Sequence, residues 1–253
     1  AAVAALCTRL EGLPLALEIA AARAQVLTPG QMLERLAAGA AAFSTRSAAT
    51  RRHSSVQAAI GWSYEMLPPQ LRRFFNQLAV FRGGCTAAAA EAVCREPCAL
   101  DLLGQLRGLS LLQTEVQHPE TRFRMLETLR AYAAARLTSG EHSELRRRHA
   151  GYYARFAETG LPELFRPAQA EWLDRLAPEQ DNLRAAIEWG LEPEGDTELA
   201  ARLVAAAWPL WYARAGIQEG RQWIELISSE DWKLLRGMAS SMIACWEVTL
   251  LRV

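Results

Sequence analysis

Lysine is almost missing from this chain: of its 28 basic residues only Lys233 is a lysine and the others are arginine. A Walker A loop needs Gly-Lys-Ser/Thr, because its glycines let backbone N–H groups close on phosphates while the lysine reaches the terminal ones. Lys233 stands between Trp232 and Leu234, so these residues hold no Walker A loop, nor a Walker B element to go with one. The reading is therefore of a chain that is not itself an enzyme, with any nucleotide chemistry performed by residues outside it. An excess of either charge is also missing, since 28 bases face 28 acids, which excludes the strongly basic balance of a dedicated nucleic-acid binder. Five cysteines at irregular spacing give no disulfide framework, and free thiols in a reducing cytoplasm are expected. The longest uncharged apolar run, Leu203 to Ala213, falls well short of the roughly 20 residues that span a bilayer. With no basic leader in front of an apolar stretch, the expectation is a cytoplasmic protein that does not enter a membrane. Ala1 in place of Met predicts a piece of a longer chain.

Catalytic and metal patterns are missing too. Cys94 and Cys98 have no second ligand pair at zinc spacing, and His53, His118, His142 and His149 stand near no nucleophile motif. No catalytic residue and no metal ligand is assigned.

What is present is helical periodicity. Val3, Leu6, Cys7 and Leu10 recur at i, i+3, i+4, i+7; a second helix starts at Pro14 with Leu15, Ile19, Ala22 and Val26 on one face. Thr28-Pro29-Gly30-Gln31 reads as a capping box, a hydroxyl at N-cap and an amide at N3 bonding each other's backbone, in front of a third helix running to about Ala42. Residues 44–53 are polar and aperiodic, a linker. Ser55 then caps a helix through Ile60 and Leu67, Pro68-Pro69 precede another with Phe74 and Phe75, and Gly83-Gly84 break the chain. Thr86 caps Ala87 to Cys94, and a further helix with Leu102, Leu103 and Leu106 is expected to end at Gly108. Two extended runs, 109–116 and 121–125, joined through His118-Pro119, complete a small winged-helix pattern whose last run flows into a helix with Leu126 and Leu129. After a break at Ser139-Gly140 only helices remain: one lined by Leu145, His149, Tyr152 and Phe156, then one with Trp172, one with Leu183 and Ile187, one with Leu203 and Trp211 around Pro209, and one with Trp223. The fold expected is mostly α: a helical subdomain over 1–53, a winged-helix module with a small β-hairpin over 54–138, and antiparallel helix pairs, the start of a TPR-like solenoid, over 139–253. The tail from Glu230 is left unassigned. Residues 1–137 carry a small excess of arginine over acids, and residues 138–253 an excess of acids.

Gly12-Leu13-Pro14-Leu15 resembles the GLPL motif of the NB-ARC ATPases, the signal-transduction branch of the AAA+-related fold known as STAND. It is followed in order by Ala59-Ile60-Gly61-Trp62-Ser63-Tyr64-Glu65, Val80-Phe81-Arg82-Gly83-Gly84, Phe123-Arg124-Met125-Leu126-Glu127 and Asp181-Asn182-Leu183-Arg184-Ala185-Ala186. That succession, over roughly residues 1–228, looks like the bacterial LuxR/AfsR-type transcriptional regulators of this class. The resemblance implies ADP or ATP as the cofactor of the parent protein, held by its own nucleotide-binding core, with none bound by these residues alone. It implies that Leu13 and Pro14 line the adenine. It also implies that Leu126 stands where eukaryotic members of the class place a phosphate-sensing histidine, although leucine offers no hydrogen bond. Its implied partners are that core and a protein or small-molecule inducer on the helical repeats. Two other readings are a nucleotide-independent protein-interaction module and a DNA-binding winged helix. The helix before the wing, with Asp101, Gln105 and Arg107, is a poor major-groove reader, so DNA contact is expected to be weak or to come from another domain.

Overall fold

The computed structural model describes residues 2–10, 12, 14–40, 57, 59–117, 120–160, 167, 169–213 and 216–236. The described chain is mostly helical, with one two-stranded antiparallel hairpin. It divides into two compact units. Unit 1 is residues 1–79 with 84–139, and unit 2 is residues 80–83 with 140–253.

Unit 1 opens with α1 (Ala2–Arg9), α2 (Pro14–Arg23) and α3 (Pro29–Ala40). The capping box at the head of α3 is formed: the Thr28 N–H donates to Gln31 Oε1 at 3.0 Å, and the Gln31 N–H donates to Thr28 Oγ1 at 3.3 Å. Leu6, Leu10, Ala16, Ala20, Met32 and Leu36 form a core that also takes in Ala59 and Trp62. Those last two lie on α4 (residues 59–65), so the first three helices are seated on the fourth. α5 (Pro69–Gln77) starts with Pro68 at its N-cap and Pro69 at N1, where a missing N–H costs nothing. It buries Leu71, Phe74 and Phe75 and packs on α7 and α8.

α6 (Ala87–Cys94) is capped by Thr86, whose hydroxyl accepts the Ala89 N–H. α7 (Ala99–Gly108) leads to β1 (Gln113–Gln117) and β2 (Glu120–Arg124), paired from Gln113 opposite Arg124 to Gln117 opposite Glu120. Cys85 bonds the far edge of β2 through Phe123, at 2.9 and 2.8 Å. Extended structure starts at Gln113, not at Leu109. The reason is how α7 ends: the Leu111 N–H returns to Leu106 O at 3.0 Å and the Ser110 N–H to Arg107 O at 2.9 Å, a Schellman closure that uses residues 109–111. Its left-handed position is Ser110, at φ +56°, not Gly108. α8 (Glu127–Ala134) begins one residue after Leu126, which is its N-cap and lies outside the helix. Tyr64 of α4 meets Tyr132 of α8 edge to face at 5.6 Å, and the Arg136 guanidinium lies 3.3 Å above the Tyr132 ring.

Unit 2 is built on α9 (Ser139–Gly160), α10 (Gln169–Leu176), α11 (Gln180–Gly190), α12 (Thr197–Ala213) and α13 (Ile217–Arg236). Ser139 and Gly140 are the first turn of α9; the irregular stretch lies before them, at residues 135–138. The buried stripe of α9 runs through Leu145, His149 and Tyr153. Tyr152 and Phe156 are half-buried, because Tyr152 and Tyr153 offer equal apolar surface and the helix turns the second one inward. α11 packs on α12 and α12 on α13. Bidentate arginine–glutamate pairs join elements far apart in sequence: Arg146 with Glu192, Arg202 with Glu158, and Arg184 with Glu219. α12 continues through Pro209 to Ala213.

The interior of unit 2 holds a polar knot. Asn182 Oδ1 accepts the Arg82 backbone N–H at 2.8 Å and faces His149 Nε2 at 3.2 Å, while Asn182 Nδ2 donates to Glu179 Oε2 at 2.8 Å. Because Oδ1 is the acceptor, His149 is assigned as the Nε2–H tautomer. Phe81 stacks edgewise on the imidazole at 5.4 Å and Tyr153 lies on it at 4.7 Å. Full burial pushes the His149 pKa down to about 4; the bond to Asn182 opposes that shift, and the charges of Arg146 and Arg82 add to it.

Above pH 6.5 the imidazole is neutral folded and unfolded, and it contributes no pH dependence. Between about 6.5 and 4 the unfolded chain binds the proton first, so stability falls as pH falls, and the loss levels off below about 4. His149→Gln keeps an N–H for Asn182 and removes the titration. In urea unfolding the native chain should lose roughly 2 kcal/mol more than the variant between pH 7.5 and pH 5. Equal losses would show that the imidazole is solvated.

Candidate functional site

The residues singled out from the sequence all fall in unit 1. Pro14 is the first residue of α2 and is exposed. Leu126 is half-buried, with φ −61° and ψ 145°, and its extended backbone turns the chain from β2 into α8. Leu13 lies outside the described residues, as do the linker 44–53, Ser55, the His118-Pro119 turn and the tail beyond 236.

An open cleft of about 430 Å³ lies in unit 1. Its walls are Glu18, Arg107, Ser110, Leu112, Gln113 and Thr114. Glu18 stands one helical turn beyond Pro14 on α2, so the two share a face. On the other wall Gln113 pairs with Arg124, two residues before Leu126, so the cleft-lining end of β1 is the end of the hairpin from which Leu126 emerges. The cleft thus lies between the helix that Pro14 opens and the start of β1, with neither Pro14 nor Leu126 among its lining.

Each wall is positioned for a local reason. Ser110 is there because the α7 closure puts it at the left-handed position, where a residue with Cβ is strained. Leu112 anchors the entry to β1 with little exposed surface. Arg107 is the last cation of α7, where the helix dipole favours it. The chemistry on offer is two hydroxyls, a carboxamide, one guanidinium and one carboxylate beside one leucine. That set suits the polar edges of a flat organic ligand. It does not suit a triphosphate, because a single guanidinium faced by Glu18 offers no cradle of backbone N–H groups.

Behind the cleft α2 is held by a buried cation. Arg23, at 6% exposure, donates from Nη2 to Ser63 O and Ser63 Oγ, both at 2.9 Å, and from Nε to Ser63 Oγ at 3.3 Å. Burial lowers its pKa. Among the described residues no carboxylate pairs with it, so the serine carbonyl and hydroxyl carry its solvation. This bond spans 40 residues and ties the helix that starts at Pro14 to α4.

Sequence reasoning did not find Glu18, Ser110, Gln113 or Thr114, and it weighed Arg107 only as a DNA contact. The Gly108-Leu109-Ser110 ending signals a helix stop, but which residue turns left-handed depends on the burial of Leu111 and Leu112. Cys7 and Cys98 are exposed, Cys85 and Cys94 are buried, and all four are free thiols. Among the described residues no three His, Cys, Asp or Glu side chains come together as a metal site, and no helix is long and apolar enough to cross a membrane.

No model of a known protein family matches the chain. It is similar to two proteins of Mycobacterium tuberculosis strains and one of Mycobacterium bovis that carry the name "Putative HTH-type transcriptional regulator". Each is 34% identical over 257 aligned positions, covering 96% of this chain but 28% of the relative. The chain therefore spans a little over a quarter of the length of the curated relatives it matches, and the similarity runs through both units. A further Mycobacterium tuberculosis protein, named as uncharacterised, is 33% identical over 55% of the chain and 37% of its own length.

Ser110 offers a direct test of the cleft wall. Ser110→Gly removes a Cβ from a left-handed backbone and should raise stability by about 0.5–1 kcal/mol in urea unfolding. A loss of stability would show that the Ser110 hydroxyl makes a bond worth more than the strain.

Proposed function

We propose that this chain is the regulatory part of a longer transcriptional regulator of the NB-ARC/STAND type, working in the cytoplasm. The observation that carries the reading is the cleft between α2, which Pro14 opens, and the start of β1, in a chain similar over nearly its whole length to proteins named as transcriptional regulators. In this reading residues 1–53 are the helical subdomain of the ATPase module, 54–138 its winged helix, and 139–253 the sensing repeats. ADP or ATP would be held through its phosphates by a nucleotide-binding core outside these residues. Pro14, with Leu13, would pack on the base, and the cleft hydroxyls and Gln113 would meet polar edges. Leu126 would press on the nucleotide without a hydrogen bond, leaving the phosphate charge to the core. The chain performs no bond-making step of its own; closing over the nucleotide stabilises one state of the molecule, and a protein or small-molecule inducer on the repeats biases another.

Titration calorimetry with Mg-ATP on this chain alone should give no affinity in the micromolar range. Micromolar binding would overturn the assignment of the phosphate site to another part of the protein. In the longer protein Pro14→Ala should weaken ADP binding about tenfold. Its effect on the stability of the chain should stay within about 0.5 kcal/mol, since Pro14 is exposed.

The relatives' name favours a second reading, DNA binding by the winged helix itself. The exposed face of α7 opposes it, presenting Leu100, Asp101, Gly104, Gln105 and Arg107, one cation where groove readers place several. Duplex DNA should bind weakly, without sequence preference, and release steeply with salt. A footprint that persists at physiological salt would give this reading priority.

A further inference from the structure

Arg23 is the last residue of α2 and is 6% exposed, and its side chain bonds a single residue, Ser63 of α4, which is itself fully buried. Nε and Nη2 are spent on the Ser63 carbonyl and hydroxyl. Nη1 makes no hydrogen bond among the described residues, and it is not one of the polar atoms sealed from water without a partner. The guanidinium is therefore embedded on two of its nitrogens and open on the third.

Tying α2 to α4 does not require the charge. A carbonyl and a hydroxyl oxygen ask only for N–H donors, and a neutral carboxamide would supply them without the cost of desolvating a cation. A guanidinium cannot escape that cost by giving up its proton. Burial lowers the pKa of Arg23, and no nearby acid offsets the shift. The C-terminal end of α2 compensates in part, through the helix dipole, but a dipole end carries no full charge. Half-buried arginines elsewhere in the chain are matched differently: Arg146 has Glu192, Arg184 has Glu219 and Arg202 has Glu158. Each of those keeps more contact with water than Arg23 does, yet it is Arg23 that has no opposing charge among the described residues.

We propose that the Nη1 edge of Arg23 is an oxyanion-binding site, completed when a carboxylate or phosphate group docks on it. Nη1 offers two N–H donors, and Ser63 holds the fork rigid, so little side-chain freedom is lost when the anion arrives. Low-dielectric surroundings make the pairing stronger than it would be at an exposed arginine. This goes beyond the nucleotide reading and does not use the cleft, whose lining includes neither Arg23 nor Ser63. It gives the buried charge a purpose that the α2–α4 tie alone does not.

The test uses the whole chain without nucleotide. Inorganic phosphate and acetate are titrated separately, against sodium chloride of equal ionic strength, while the Arg23 Nε–H and Ser63 amide signals are followed by NMR. Both signals should shift saturably in the millimolar range with phosphate or acetate and not with chloride, and the anion that saturates first identifies the site as one for phosphate or for carboxylate. Arg23→Met keeps the bulk of the side chain without its charge, and should weaken that binding, read at the Ser63 amide, by about tenfold or more. If Arg23→Met does not fold, Arg23→Lys should weaken it severalfold, because a single ammonium cannot serve Ser63 and the anion with the geometry of a fork. Shifts that never saturate, the mark of an adventitious ion only, or native affinity in the variants would overturn the proposal. Neither anion carries a base, so such a result leaves the nucleotide reading standing; failure of ADP binding in the longer protein would in turn leave this site standing.

Discussion

A single buried carboxamide, that of Asn182, organises unit 2. Its oxygen serves a backbone N–H and an imidazole, and its nitrogen serves a carboxylate. A side chain with both donor and acceptor is needed to satisfy those three partners away from water, and each partner left unbonded would carry its desolvation cost. The residues around it follow from that requirement. His149 must be neutral and one tautomer, Glu179 must stay in the interior beside the carboxamide, and residues 80–83 must present backbone at that point.

Unit 1 meets a comparable demand differently. Arg23 is buried against one serine, so among the described residues a fixed charge is solvated by a carbonyl and a hydroxyl and not by an opposing acid. That arrangement tolerates no loosening between α2 and α4, because separation would strand a guanidinium in the core. The helix that Pro14 opens is consequently a rigid support, and the cleft wall formed by Glu18 inherits that rigidity. The opposite wall is held by the Schellman closure at Ser110 and the apolar anchors Leu111 and Leu112. Both walls are set by packing, with the polar side chains of the cleft at the surface.

What was legible in the sequence was local. Thr28 with Gln31, Thr86 before its helix, Pro69 at a first turn and the two hairpin strands each depend on residues within one turn of each other, and the structure places them so. Tyr153 in place of Tyr152 on the buried stripe shows where periodicity loses resolution: two neighbouring aromatics leave the face ambiguous within about 100° of rotation. Ser110 was hidden because glycine two residues earlier is the stronger left-handed candidate, and only the burial of Leu111 and Leu112 overrules it. The Arg23–Ser63 and Arg82–Asn182 bonds join residues 40 and 100 positions apart, and no pattern in a single sequence announces such pairs. Pro14 and Leu126 came from motif resemblance alone, and neither lines the cleft.

The detour of residues 80–83 bears on how such proteins can be assembled by recombination. A crossover near residue 139 would look clean, since one helix starts there and the strands are behind it. The helices received would nevertheless arrive with Asn182 and His149 prepared for a tetrapeptide encoded some 60 residues upstream, in the other parent. A hybrid gene works only if both parents already share that tetrapeptide, or if it is exchanged along with those helices. The two segments are in this sense interlocked at the level of the gene, and successful exchange among them is confined to lineages that keep the same short lock.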